Sequence, residues 1–508
     1  MSLHETFYHQ RGVKSMTHFA LPFKYEEETK SSGLTGLAGL PLYFELLHSQ
    51  NIPGIMRKKL DAGSHENTAW RNSDTALSLI LLNLAGGNHV EDLRIMEKDA
   101  GFCKFYEKIG IVGLKKSERK TLRRNRQQQG CGELPSRTSV FRFLKQDGDD
   151  GLAGRGQGKA YIPSAGKTAQ QLRDCNSSLL AALEYNKPSA TITLDMDATL
   201  IETHKANSLY CYKKYTAYQP MMVWWAEQQV IVHTQFRDGN APADYALLPV
   251  LQEAISCLPK NSDKKQLYFR SDAAGYNIEL LKYCEDKNIQ FAVGCPISDS
   301  VREVIKSAPT SSWKPLDKVH EYAEICFVPS SLSRSKQGYE FRYVAIRESL
   351  VEQCTLPGMP EREYPFPVED LGRGRYKIHA IVTNRNIAAT ELIPWYWKRC
   401  GHSEGAHDVL KNELSGGVLP CSHFHANANW WWLAVISHNI HSIFKVLCCD
   451  ASWHSSRLKR MRFYIINIPG RILERGRELY IRLSAGHVSY ALFQMIRKAI
   501  SRLRPCPA

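Results

Sequence analysis

The stretch from 191 to 294 constrains the fold more than any other part of the chain. "TITLDMD" (191–197), "MMVWWAE" (221–227) and "QVIVHTQF" (229–236) are rich in β-branched and aromatic residues and lie close enough in sequence to pair as an antiparallel meander. "DYALLPVLQEAISCL" (244–258) has helical spacing of its apolar residues, "QLYFRSD" (266–272) reads as a strand, "NIELLKYCEDK" (277–287) as a helix opening on Asn277, and "IQFAVG" (289–294) as a last strand. The pattern predicts a mixed α/β domain.

The first strand carries two acids where an ordinary strand has none. Side chains alternate, so Ile192, Leu194 and Met196 share one face and Thr191, Thr193, Asp195 and Asp197 the other. At about 3.3 Å per residue the carboxylates stand about 6 to 7 Å apart and repel unless solvated, protonated or neutralised by a cation. A wet edge strand and a metal site both satisfy this. Three antiparallel strands followed by alternating helices and parallel strands is the order of the ribonuclease H-like fold. In it the strand ending at Asp197 neighbours the one ending at Asp272, and a third acid is expected on a later helix.

Charge narrows the partner. Lys and Arg number 66 against 51 acids, for a net charge of +15 and a pI near 9.1, which points to a polyanion, nucleic acid first. The excess peaks in "LKKSERKTLRRNR" (114–126) and "HSSRLKRMRF" (454–463), each of which reads equally as a solvated face. The longest apolar run near the N-terminus, "ALSLILLNLA" (76–85), is too short to span a bilayer and Met1 to Arg11 holds no signal-peptide core, so no membrane partner and a cytoplasmic location are expected. The 14 cysteines form no CxxC pair and read as reduced thiols. Cys421, His423 and His425 alternate and lack a fourth ligand, which argues against zinc.

Residues 1–146 read as a helical, basic DNA-end-binding region, with Asp74 capping a helix over Thr75 to Leu84 and another helix from His89 to Lys98. In "LPSRTSVFRFLK" (134–145), Pro135 and a Ser136 cap precede a short helix with Val140, Phe141 and Leu144 inward and Arg137, Thr138 and Arg142 outward. It is similar to a helix-turn-helix recognition helix, which would put Arg137 and Arg142 on DNA; an amphipathic helix in a bundle fits as well. A glycine-rich linker is expected over 147–168; its "GRGQG" lacks the preceding strand and GK[ST] ending of a phosphate loop. The remaining boundaries are a first core part (169–309), a β-rich insertion (310–385) with strands at 320–330, 339–348 and 375–385, a second core part (386–450) and a basic α/β tail (451–508).

In "WYWKRCGHSEGAHDVLKNEL" (395–414), Glu404 and Lys411 are seven residues apart and share one helix face. Here, with "LDMDATLIETHK", "YQPMMVWWAEQQVIVHTQFRDGN", "RSDAAGY" and "HFHANANWWWLAVISHNI" in the same order, the chain resembles the DDE insertion-sequence transposases, most closely the insertion sequence thirteen-eighty group, over most of residues 135–500. The wider class carries Tyr, two residues, Arg, three residues, Glu, six residues, Lys. This chain has Tyr396, Arg399, Glu404 and Lys411, with four residues between Arg and Glu.

The resemblance implies a bacterial DNA transposase that binds terminal inverted repeats as a homodimer and cuts and joins double-stranded DNA. Asp197, Asp272 and Glu404 would be the catalytic acids, holding two Mg²⁺ ions for which Mn²⁺ substitutes. In-line phosphodiester displacement charges both attacking and leaving oxygens, and two ions about 3.5 to 4 Å apart stabilise both; hard Mg²⁺ prefers carboxylates to His or Cys. Arg399 and Lys411 would contact phosphate beside Tyr396, Arg as a fork and Lys as a point charge, with salt bridges to Asp408 or Glu404 the structural alternative. "DAT" (197–199) fits the family's first acid, followed one residue later by Thr or Ser, whereas "DMD" does not. Asp195 is therefore expected to orient the site through Lys205 or Arg270 without binding metal. Trp430, Trp431 and Trp432 read as core, and Trp313 as a residue able to stack on a displaced base. The alternatives are a structure-selective nuclease of the same fold and a non-enzymatic DNA-binding regulator derived from a transposase.

Overall fold

The computed structural model describes residues 33–62, 68–329, 338–350, 364, 366, 368–371, 374–476 and 478–507. The first third is helical: α1 (Leu40–Ser49), α2 (Asn72–Ala85), α3 (Lys116–Gln128), α4 (Arg137–Leu144) and α5 (Lys167–Asn186). Asp74 lies in the first turn of α2, its carboxylate 3.0 Å from Arg71. The helix expected from His89 to Lys98 is a 3₁₀ turn, Val90–Asp92, followed by helix Leu93–Lys98.

The helix-turn-helix expectation meets a difference. Residues 129–136, with Gly130, Gly132 and Pro135, separate α3 from α4, which exceeds the three- to four-residue turn of that motif. Helix α4 is capped by Ser136 as expected and buries Val140, Phe143 and Leu144, with Phe141 half-buried under Arg137. Arg137 and Arg142 do point outward.

Residues 147–166 form turns tied to their surroundings rather than a free tether. Arg155 pairs with buried Asp238, His425 Nε2 lies 2.8 Å from the Asp150 carbonyl oxygen, and the Asn429 amide donates to Asp147 at 3.0 Å.

The sheet follows the expected order. β1 (Ile192–Ala198), β2 (Met221–Trp225) and β3 (Val230–Gln235) form the antiparallel meander, and β4 (Leu267–Ser271) and β5 (Gln290–Gly294) run parallel to β1 on its other side. Helices α6 (Leu247–Ser256) and α7 (Ile278–Asp286) make the connections. Asp195 pairs in register with Arg270 and Met196 with Ser271, so Asp197 and Asp272 come next on two neighbouring strands.

The β-rich stretch after 310 is not a separate sheet. β6 (His320–Ile325), β7 (Arg342–Ser349) and β8 (Arg375–Thr383) continue the first one, with Ile381 opposite Gly294 and Thr383 opposite Ala292, giving ten strands among the described residues. Strand β8 thereby covers the backbone groups that an edge at β5 would leave unpaired.

Helix α8 (Ala389–Trp397) lies on one face of this sheet, burying Ala389, Leu392 and Ile393 against Ala292, Val344, Ile346 and Ile381. After α9 (His402–Asn412) comes α10 (Phe424–Cys448), buried along nearly its whole length. Trp430, Trp431 and Trp432 are core, as expected, and the Trp431 indole donates to Thr234 on β3 at 2.8 Å. Helices α1, α2, α4 and α5 and the C-terminal α11 (Tyr490–Ile500) pack around α10, so the N-terminal third, the sheet and the tail share one hydrophobic core.

Candidate active site

The alternation of β1 sorts its residues between two environments. Ile192, Leu194 and Met196 enter the main core, while Asp195 points to the face that α8 covers. Asp195 is 1% exposed and takes both ends of the Arg270 guanidinium, with Nε at 2.6 Å and Nη2 at 2.8 Å. Arg270 also donates from Nη1 to the Trp395 carbonyl oxygen and lies over the Trp395 ring at 4.9 Å. Burial pushes the Asp195 carboxyl above its ordinary range, against the opposing pull of Arg270. Of the two partners expected for Asp195, the structure selects Arg270, which engages both carboxylate oxygens.

One pleat further, Asp197 and Asp272 reach the same open cleft, of about 710 Å³, with Gln219, Asn240, Asp244 and Ser271 also on its walls. Asp272 caps the short turn after β4 by accepting from the Ala274 N–H at 3.0 Å, and Asp197 accepts from the Ala198 N–H at 2.9 Å. Two carboxylates on adjacent strand ends are hard oxygen donors suited to a divalent cation such as Mg²⁺.

The end of helix α8 delivers Tyr396 to these acids, and the turn that follows it delivers Arg399. Arg399 Nη1 lies 3.7 Å from Asp197 Oδ2, and its buried Nε has no hydrogen-bond partner. Burial works against the guanidinium's charge, but Tyr396, Asp197 and Asp272 outweigh it and hold its pKa above the usual value. Arg399 thus pairs with Asp197 and with neither Asp408 nor Glu404. Burial pushes the Tyr396 phenol up to about 12, aided by Asp272 and opposed by Arg399. A Cβ on Gly294 would meet the Tyr396 hydroxyl at 3.0 Å and the Ala273 nitrogen at 2.8 Å, so this close approach requires glycine.

The stretch 395–414 is not one helix but two, parted at Gly401, whose φ is 90°, with Glu404 and Lys411 together on the second. Beyond the break, Lys411 reaches back to the Leu200 carbonyl oxygen at 3.5 Å, and His407 is buried beside Lys411 and Arg399. Glu404, in the first turn of α9, is exposed and does not line the cleft. Among the described residues no three His, Cys, Asp or Glu side chains are grouped to hold a metal. The structure therefore brings together Asp197, Asp272, Tyr396 and Arg399, with Lys411 near the end of β1, and leaves Glu404 outside. Glu413 is no substitute: it is buried, paired with Arg457, and accepts from the Lys459 N–H at 2.9 Å.

Other expectations sort in the same way. Arg137 and Arg142 lie on α4, outside this cleft, with Arg137 Nε 2.6 Å from Glu91. Trp313 cannot stack on a base: it is 8% exposed and its ring is covered by Arg347 at 4.3 Å. Sequence reasoning passed over Asp244 and His407. The first follows "RDGN" at the cleft rim without a strand to signal its direction, whereas the second stands three residues after Glu404 and four before Lys411, a spacing that could have marked the shared face.

Among solved structures, the chain is similar to a piggyBac transposase synaptic complex with hairpin DNA, at 11% identity and a TM-score of 0.41, covering 92% of this chain and 86% of that one. It also aligns with the Mos1 mariner paired end complex with Mn, at 13% identity and a TM-score of 0.16, over 43% of this chain and 76% of that one. No curated protein matches the chain. The family described as transposase DDE domain group 1 matches residues 162–505, from the start of α5 through the sheet and α10 to the last helix. The chain belongs to this family of DDE transposases.

Proposed function

We propose that this chain is an insertion-sequence DNA transposase of the thirteen-eighty group, built on a ribonuclease H-like core, that binds the terminal inverted repeats of its element and catalyses metal-dependent strand cleavage and strand transfer as a homodimer. The observation that best supports the reading is the pairing of Asp197 with Asp272 at adjacent strand ends in one cleft, under Arg399. The two carboxylates would hold Mg²⁺ or Mn²⁺, and when bound the ions supply charge stabilisation to both oxygens of the in-line displacement. Glu404 would complete the acid set by a swing of α9 about Gly401.

The chain's own residues then divide the remaining work. Arg399, with an unpartnered Nε beside its Asp197 contact, presents a fork to a phosphate, and Lys411 adds a point charge. Tyr396, with a phenol held neutral at physiological pH, serves as a hydrogen-bond donor. Asp195 binds no metal; through Arg270 and the Trp395 carbonyl it fixes the end of the helix that carries Tyr396 and leads into the turn of Arg399. Arg137 and Arg142 contact the DNA ends from α4.

The purified chain, incubated with duplex DNA carrying its element's ends, is expected to cut with Mg²⁺ or Mn²⁺ and not with chelator. Asp272→Asn and Glu404→Gln should abolish cutting and leave end binding intact by gel shift, because amides keep shape and lose the charge that holds metal. Normal cutting by Glu404→Gln would remove it as third acid and turn attention to Asp244, which already lines the cleft. Absence of cutting under every divalent metal would overturn the reading.

A further inference from the structure

We propose that Tyr210 and Tyr212 form a stacking platform for unpaired nucleotides at the DNA end being cut, on a wall of the cleft formed by neither the acids nor Arg399 and Lys411. After β1 the chain leaves the main sheet for a small three-stranded one, Ile201–Glu202, Thr216–Tyr218 and Leu209–Tyr210. Its tip is a tight turn. The Cys211 N–H donates to the Tyr215 carbonyl oxygen at 2.8 Å and the Lys214 N–H to that of Cys211 at 3.0 Å, with Lys214 in the left-handed region at φ 65°. A non-glycine residue held there shows that the turn is fixed by its hydrogen bonds.

The base of this finger is anchored as firmly. Arg155, from the glycine-rich segment, binds buried Asp238 through Nε at 2.8 Å and Nη2 at 2.7 Å and donates to the Asn207 carbonyl oxygen at 2.8 Å. Gly239 packs so close that a Cβ would come within 2.5 Å of the Ala217 oxygen and 2.9 Å of the Leu209 oxygen. The segment that resembled a linker is thus a brace for the finger.

Held this way, Tyr210 and Tyr212 are 70% and 71% exposed, yet both line the cleft that contains Asp197 and Asp272. Lys213 and Lys214 follow them in the exposed turn, with Lys213 Nζ 5.8 Å from the Tyr212 ring. Rings beside cations are the two elements of single-strand recognition: the rings take base faces whatever the sequence, and the ammonium groups follow the phosphates. A ring on the wall of the cleft that holds Asp197 and Asp272 can offer its face only to a base that is not already stacked within a duplex. The occupant is unpaired DNA leading to the scissile phosphate.

This inference rests on the proposed transposase activity but is tested without cutting. With Asp272→Asn as the parent, the full chain would be titrated against a fluorescein-labelled ten-nucleotide thymidine oligomer and, separately, a blunt duplex, by fluorescence anisotropy. Tyr210→Ala and Tyr212→Ala should each weaken oligomer binding about tenfold and leave duplex binding within about twofold. Phe or Trp at either position should restore it and Leu should not, a distinction that a merely structural role would not produce. Alanine variants that bind the oligomer like the parent, or Phe variants no better than Ala, would overturn the proposal. Tyrosine-dependent oligomer binding together with no cutting by the unsubstituted chain under any divalent metal would instead count only against the transposase reading.

Discussion

Asp195→Asn and Asp197→Asn should separate two roles that the sequence places two residues apart. Asp195 and Arg270 form a bidentate pair whose side chains are 0% and 3% exposed. Removing one charge leaves the other buried, which costs about 3 to 5 kcal/mol, with Asn at the low end because its amide oxygen still accepts one bond. With about 2.1 cal/mol/K of unfolding entropy per residue, a chain of 508 residues unfolding cooperatively has about 1.1 kcal/mol/K. The loss then appears as a fall in Tm of about 3 °C. Because Arg270 also holds the Trp395 carbonyl, cleavage should fall by about 10- to 100-fold, the scale for residues that orient a metal site. Asp197, which accepts from the Ala198 N–H and stands 3.7 Å from Arg399 on the cleft wall, is less enclosed than Asp195, so Asp197→Asn should lower Tm less than Asp195→Asn does and yet abolish metal-dependent cleavage. Differential scanning calorimetry and a plasmid cleavage assay on the same preparations give both quantities. An unchanged Tm with no activity in Asp195→Asn, beside an active Asp197→Asn, would refute the assignment and make Asp195 the ligand.

Arg137→Ala and Arg142→Ala should each weaken end binding and lower the slope of log affinity against log salt by about 1, measured by gel shift between low and high salt; an unchanged slope would take α4 off the DNA. Stability should fall as pH drops below about 6.5, because burial lowers His233 and His407 to about 3, His438 to about 4, and His441 well below its ordinary value. The unfolded chain binds those protons first, so each histidine removes about 1.4 kcal/mol per pH unit between about 6.5 and its folded pKa, with nothing lost above that window. Urea melts at pH 7.5 and 5.5 test the sign, and His407→Gln should make the dependence shallower by one proton.

The sheet was legible because each of its strands carries a local signal that the tertiary structure obeys. β-branched and aromatic runs marked β1 to β5, and "DxD" and "RxD" each put two polar side chains on one face. What the sequence lacked was register: only the structure sets Asp195 against Arg270, and so Asp197 beside Asp272. The strands of 310–385 were equally visible, but strand pairing over long separations leaves no local trace, so their union with β5 was not. The shared core was hidden for a similar reason. The apolar α10 can be read as buried, yet nothing in its residues says that α2 and α4, some 300 residues earlier, are what bury it.

Glu404 shows where spacing stops being informative. Glu404 and Lys411 do lie on one unbroken helix, α9, but their spacing says nothing of how that helix sits relative to Tyr396 and Arg399. The two pairs are separated at Gly401, which adopts a φ of 90° that other residues resist. That glycine lies inside the interval where this chain has four residues between Arg399 and Glu404 instead of the three of the wider class. The added residue and the break occupy the same turn, so Tyr396 and Arg399 stay with α8 on the sheet while Glu404 turns outward on α9. A swing about this joint would carry Glu404 inward, and His407, buried on α9 between Arg399 and Lys411 with an unpartnered Nε2, would have to move with it. On the role proposed for Glu404, assembly of the acid set depends on this helix break, and the closed arrangement must replace the contacts of His407.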